Sequence, residues 1–123
     1  MQYGEYVLIR TDRIYNTIRS NDEFRILVDR IWPRGISKER ADLDLWYKEI
    51  APSTSLRKWF GHKPERFDEF RDSYFKELNG NPEVVRLIEV LREHKNVVLL
   101  YSAKDSDHNQ AVVLEQYLSK KMK

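Results

Sequence analysis

The spacing of apolar residues changes character along this chain, and the change predicts the elements. Tyr6 to Arg10 is a short, apolar, β-branched run and predicts a first strand. Residues 11 to 22 are polar and mixed, compatible with a short helix or an irregular loop. Phe24 to Asp29 predicts a second strand, followed by Trp32-Pro33-Arg34-Gly35, which suits a type I turn. Leu43 to Ile50 alternates in part and predicts a third strand.

From there the spacing becomes helical. Ser53 or Thr54 can cap a short helix that runs to Phe60, with Gly61 as its left-handed stop. Pro64 opens the next helix, where its missing N–H costs nothing. Phe67, Phe70, Tyr74 and Leu78 give that helix one apolar stripe, and Asn79-Gly80 ends it. Asn81 caps a third helix, with Pro82 first and Val84, Val85, Leu87, Ile88 and Leu91 inward. Val97 to Ala103 starts apolar without alternation, which predicts a strand buried on both faces in the middle of a parallel sheet. Asp107 with Gln110 three residues on has a capping-box pattern, and Ala111, Val112, Leu114, Tyr117 and Leu118 line the last helix.

Strands, helices, strand, helix is the order of an α/β fold. A helical crossover between the second and fourth strands implies parallel pairing. The expected architecture is a small, open, mainly parallel sheet of about four strands with helices packed on it, Rossmann-like. At 123 residues the chain has room for one domain, spanning residues 1–123.

Composition narrows the function classes. Aromatics make up 12% of the chain, enough to argue against disorder. Net charge is only +2 and the signs are interspersed, which speaks against a nucleic-acid footprint. The chain has no cysteine, so disulfides, thiolate nucleophiles and cysteine zinc sites are excluded. The start, Met1-Gln2-Tyr3-Gly4-Glu5, has no basic-then-apolar leader pattern, and no apolar run reaches membrane-spanning length. The default expectation is a cytoplasmic protein with no membrane partner. The aromatic content is compatible with a homodimer without demanding one.

Candidate chemistry follows from topology. In an open parallel sheet, loops after the carboxyl ends of strands line the binding crevice. The loop after the second strand holds Asp29, Arg30, Trp32, Arg34 and Lys38. The loop after the fourth holds Ser102, Lys104, Asp105, His108 and Asn109. If those strands are parallel, the two loops share one rim of the sheet. The last helix begins inside the second loop, and a helix N-terminus attracts anions. Arg30, Arg34, Lys38 and Lys104 would reinforce that attraction toward a phosphate or carboxylate ligand.

Each residue also has a bland role. Arg30, Arg34 and Lys38 can be a solvated loop paired with Asp29 and Glu39. Asp105 and Asp107 suit caps more than catalysis. His108 is either a general acid or base near neutral pH or a surface histidine. Asn109 could orient a substrate oxygen or decorate the turn. Asp29 could act as a base or accept hydrogen bonds from loop N–H groups. Trp32, with Trp46 and Trp59, belongs in a core unless it stacks on a base or sugar ring. No histidine and carboxylate spacing suggests a metal, neither common glycine-rich phosphate loop is present, and no cofactor is implied.

Three segments carry a family resemblance. They are Leu27-Val28-Asp29-Arg30-Ile31-Trp32-Pro33-Arg34-Gly35; Ala51-Pro52-Ser53 running into Leu56-Arg57-Lys58-Trp59-Phe60-Gly61-His62; and Leu99-Leu100-Tyr101-Ser102-Ala103-Lys104-Asp105 with His108-Asn109 and Ala111. Together they resemble the bacterial YeaO-like proteins, a branch of a larger domain family of unknown function, from about Phe24 to Leu118. The resemblance implies a compact α/β fold and carries no settled activity. Relatives in the wider family often have Cys-His-Arg at the start of the last helix, where this chain has His108-Asn109-Gln110. Any thiolate chemistry of those relatives cannot operate here. The sequence supports a small enzyme, hydrolase or transferase, or a degenerate enzyme that binds a phosphorylated or nucleotide-like molecule. Its acid–base candidates are Asp29 and His108. A module binding nucleic acid or protein through Trp32 and the same cations is the alternative, and a purely structural protein is a third.

Overall fold

The computed structural model describes residues 7–20 and 22–123. Tyr6, where the first strand is expected to begin, lies outside them. The elements in chain order are β1 (Leu8–Arg13), β2 (Glu23–Leu27), α1 (Lys38–Ala41), β3 (Leu45–Trp46), α2 (Thr54–Phe60), α3 (Phe67–Asn79), α4 (Glu83–Leu91), β4 (Asn96–Tyr101) and α5 (Gln110–Lys121). Single 3₁₀ turns stand at Ile14–Asn16, Lys48–Ile50 and Pro64–Arg66.

The described strands form one open sheet of four, in the order β1-β4-β2-β3, with every pairing parallel. β4 lies between β1 and β2, as its unbroken apolar run requires. Val97, Leu99 and Tyr101 face one side, with Ile26 and Val28 of the β2 segment, and pack against residues of α2 to α5. Val98 and Leu100 face the other side with Leu27, under a smaller cover of Ile14 and Ala41 flanked by Tyr15, Trp32, Ile36 and Leu43. Arg25 is fully buried on this chain and donates to the carbonyls of Ala41 and Asp42 at 2.8 and 2.9 Å, tying β2 to the end of α1.

The boundaries differ from the sequence pattern where backbone pairing outweighs side-chain character. β1 runs on through the polar Thr11-Asp12-Arg13 because all six of its residues pair with β4. An edge strand needs only one partner and tolerates polar side chains. The third strand shrinks to Leu45–Trp46, because after the bond from Tyr47 N to Leu27 O the chain turns into a 3₁₀ segment that buries Ile50. The turn after β2 closes one residue later than expected, from Ile36 N to Pro33 O, with Gly35 at φ +77° in its third position. A positive φ there belongs to type II geometry, not type I, and favours glycine.

The helix stops and starts are local chemistry. Ser53 Oγ accepts from Leu56 N at 3.2 Å to start α2, and Gly61 ends it at φ +55°. Asn81 Oδ1 accepts from Glu83 N at the start of α4. Val85 does not join the inward face of α4; it is exposed, while Val84, Leu87 and Leu91 are buried. Asp107 does not cap α5. Asp105 has already taken the N–H groups of Asp107 and His108, and the helix starts later, with Asn109 Oδ1 accepting from Val112 N at 3.0 Å.

Among the described residues, no helix is long and apolar enough to cross a membrane.

Candidate functional site

The chain leaves β2 and β4 in opposite directions. After β2 it passes to the face covered by Trp32, Ile36 and Ala41; after β4 it enters α5 on the other face. Neighbouring parallel strands whose connections diverge open a crevice at their carboxyl ends. A cleft of about 780 Å³ lies there, and both expected loops line it.

Asp29 stands at its base. Its Oδ2 accepts from Ser102 N at 3.0 Å, and its Oδ1 accepts from the side-chain amide of Gln110, the first residue of α5. Its carbonyl accepts from Trp46 Nε1 at 2.8 Å. One residue thus fastens the ends of β2, β3 and β4 to α5. The side chain is buried, and burial pushes its pKa up from the ordinary carboxylate value, opposed by the hydrogen bonds from Ser102 and Gln110 and by the charge of Arg57.

Two walls rise from this base. The wall on the side of the smaller cluster is made by Arg13, Tyr15, Ile31, Trp32 and Arg34. Arg13 Nε reaches the carbonyls of Ser102 and Ala103 at 3.1 and 3.0 Å, and its guanidinium lies 4.5 Å over the Tyr15 ring. Tyr15 donates its hydroxyl to Arg34 O at 2.7 Å, and Trp32 Nε1 donates to Ile36 O at 2.7 Å. These two bonds pin the loop. The other wall comes from α2 and α3, with Arg57, Lys58, Phe60 and Phe70. Phe60 and Phe70, both buried, stack at 4.3 Å. Arg57 Nη2 reaches Thr54 Oγ1 at 3.4 Å, but its buried Nε meets no acceptor among the described residues.

The expected residues are therefore divided. Asp29, Arg30, Trp32, Arg34, Ser102, Lys104 and Asp105 line the cleft. Arg30 also braces the segment before α2, donating to Ala51 O and Pro52 O at 3.0 and 3.3 Å. Lys38, His108 and Asn109 are not among its lining residues. Lys38 is the exposed first residue of α1. His108 pairs Nδ1 with Asp105 Oδ2 at 2.9 Å and sets its ring edge-on against Phe67. Asn109 is buried, spent as the α5 cap and in a 2.8 Å bond to Asp105 O. Asp105 holds a pKa below the ordinary value because N–H groups of Asp107 and His108 and the His108 ring all donate to it.

Sequence reasoning did not single out Arg13, Tyr15, Arg57, Lys58, His62 or Gln110, all of which line the cleft. Arg13 closes β1, which extends past the apolar run, and so stands on the same carboxyl rim as the ends of β2 and β4. Gln110 carried a signal as a capping partner, but its amide turns to Asp29 instead. Arg57 carried none. Among the described residues, no group of three or more His, Asp or Glu is placed to hold a metal ion.

Residues 8–123 match a family model described as the inactive DUF488-N3 subclade, DUF488-N3i. The chain is 41% identical over 110 residues to the uncharacterised protein YeaO of Escherichia coli K12, covering 89% of this chain and 96% of that one. It is 39% identical over 111 residues to the uncharacterised protein Rv3073c of Mycobacterium tuberculosis H37Rv, covering 90% and 93%. No solved structure matches it. With the model spanning nearly the whole chain and the relatives aligned over nearly their whole length, this protein belongs to the YeaO-like DUF488-N3i family.

Proposed function

We propose that this protein binds a phosphorylated small molecule in the cleft at the carboxyl end of the sheet, and that it holds the ligand without transforming it. The observation that carries this is the character of the lining: Arg13, Arg30, Arg34, Arg57, Lys58 and Lys104 against two carboxylates, Asp29 and Asp105. Arg57 and Lys58 stand side by side on the α2 wall, and the charge of Arg57 acts on Asp29 at the base of the cleft. Arginine can fork onto two phosphate oxygens, and Lys58 and Lys104 add point charges at the mouth.

The same lining argues against catalysis. Asp29 has both oxygens engaged by Ser102 and Gln110, so it braces the crevice instead of drawing a proton from a ligand. His108 turns to Asp105 and Phe67. The chain has no thiol. The description of the family as inactive accords with a retained pocket without a reaction. Because the cations converge on a cleft and net charge is only +2, a small ligand fits better than a nucleic acid.

Thermal-shift measurements across inorganic phosphate, sugar phosphates and nucleotides test this. Phosphorylated compounds should raise the melting temperature, and Arg57→Ala should weaken binding by about tenfold or more, the worth of one charge-assisted hydrogen bond. Absence of stabilisation by every phosphorylated compound overturns the reading.

A further inference from the structure

We infer that the ligand is a phosphomonoester carrying a flat aromatic ring, of nucleoside monophosphate size, with the ring on the Tyr15–Ile31–Trp32 wall and the phosphate toward Arg57 and Lys58. This rests on the phosphate-binding reading above and adds the other half of the molecule. The cleft holds about 780 Å³, within the roughly 300–1,000 Å³ of sites that enclose whole small molecules, and far more than one phosphate group fills.

The two walls differ in what they can recognise. On the loop wall, both aromatic side chains have spent their polar atoms inside the protein: the Tyr15 hydroxyl on Arg34 O and the Trp32 N–H on Ile36 O. What they offer a ligand is ring surface, which favours stacking over hydrogen bonding. Arg13 lies over one face of Tyr15, so on that side the flat surface is the guanidinium itself. Ile31 is 65% exposed although it lines the cleft. An anion gains nothing from an exposed isoleucine, whereas a ring laid on it removes apolar surface from water. The loop wall also carries Arg13 and Arg34, but the helix wall presents only cations, Arg57 and Lys58, because its Phe60 and Phe70 are buried. A ligand with a ring at one end and a phosphate at the other matches both walls at once.

Calorimetric titration of the intact protein with adenosine 5′-monophosphate, uridine 5′-monophosphate, ribose 5-phosphate and inorganic phosphate separates the two ideas. At least one nucleotide should bind about tenfold more tightly than ribose 5-phosphate. Ile31→Ala, a truncation at an exposed position, should weaken nucleotide binding by about three- to tenfold and leave ribose 5-phosphate unchanged. Arg57→Ala should weaken both. Nucleotides and ribose 5-phosphate binding alike, or Ile31→Ala leaving nucleotide affinity unaltered, overturns the ring while the phosphate reading stands. If no phosphorylated compound binds, both fall together.

Discussion

Asp29 and Asp105 follow neighbouring strands on the same rim of the sheet, line the same cleft, and accept hydrogen bonds from backbone N–H groups. Their electrostatics nonetheless run in opposite directions. Asp29 is only 7% exposed, and loss of water outweighs the donors around it, so its proton is held more tightly than in a free carboxylic acid. Asp105 keeps its water, and the donors from Asp107 and His108 prevail, so its proton is released more readily. The number of hydrogen bonds does not decide between them; access to solvent does. The contrast also locates the load. Asp29 joins three strands to α5, whereas Asp105 organises one turn.

Removing the Asp29 carboxylate has the largest expected effect. Asp29→Ala leaves the Ser102 N–H and the Gln110 amide facing each other across a buried gap. It should destabilise the fold by about 2–4 kcal/mol, measured by urea unfolding. Asp29→Asn keeps the shape and one acceptor, and should cost less than half of that. A cost for Asp29→Ala below about 0.5 kcal/mol, typical of surface substitutions, would show that the strand ends are held by something else.

Next in size is the cap that both corners depend on. Asn109→Ala removes the acceptor for Val112 N and the donor to Asp105 O, from a side chain that is almost wholly buried. A loss of about 1–2 kcal/mol is expected by thermal or urea unfolding, at the upper end for a helix N-cap. Asp107→Ala, at the position whose pattern suggested the cap, should cost much less, since its own backbone N–H is what Asp105 accepts.

That pair shows where the sequence was legible and where it was not. β4 could be read because burial on both faces leaves a run without alternation, and the parallel sheet and shared rim followed from the crossover. Asp29, Arg34 and Lys104 could be placed because each lies in the loop that follows a strand. The start of α5 was harder: Asp105, Asp107 and Asn109 all have side chains able to cap, and only three-dimensional position decides which oxygen is free when the helix begins. Arg57 was illegible for a related reason. It sits mid-helix between Leu56 and Lys58, and nothing in its spacing tells a solvent-facing arginine from one turned into a cleft.

Titration gives a smaller effect but a clear sign. Burial raises the folded-state pKa of Asp29 above the ordinary 3.8, so between those two values the native state holds a proton that the unfolded chain has released. Asp29 therefore makes the fold more stable as pH falls through that window, and this contribution is lost as pH rises through the folded pKa. Asp105 acts with the opposite sign: its contribution is present above the ordinary carboxylate value and is lost as pH falls through its lowered pKa. Urea midpoints followed from neutral to acidic pH should show the first slope in the wild type and not in Asp29→Asn. If the slope persists in that variant, another group is its source.

The smallest expected effect is the most informative about function. His108 has the residue type of an acid–base catalyst and stands in the loop after β4, yet its ring is paired with Asp105 and packed edge-on to Phe67, outside the lining of the cleft. If ligand binding depends on the cations alone, His108→Ala should change the dissociation constant for a bound phosphorylated compound by no more than about twofold, the scatter expected of uncoupled sites. Arg57→Ala measured alongside should weaken the same compound by about tenfold or more. The two variants divide the rim as the two carboxylates do, into a corner that shapes a turn and a cleft that meets the ligand. Equal losses in both would mean that the corner around Asp105 moves with the ligand, and would bring His108 back into the site.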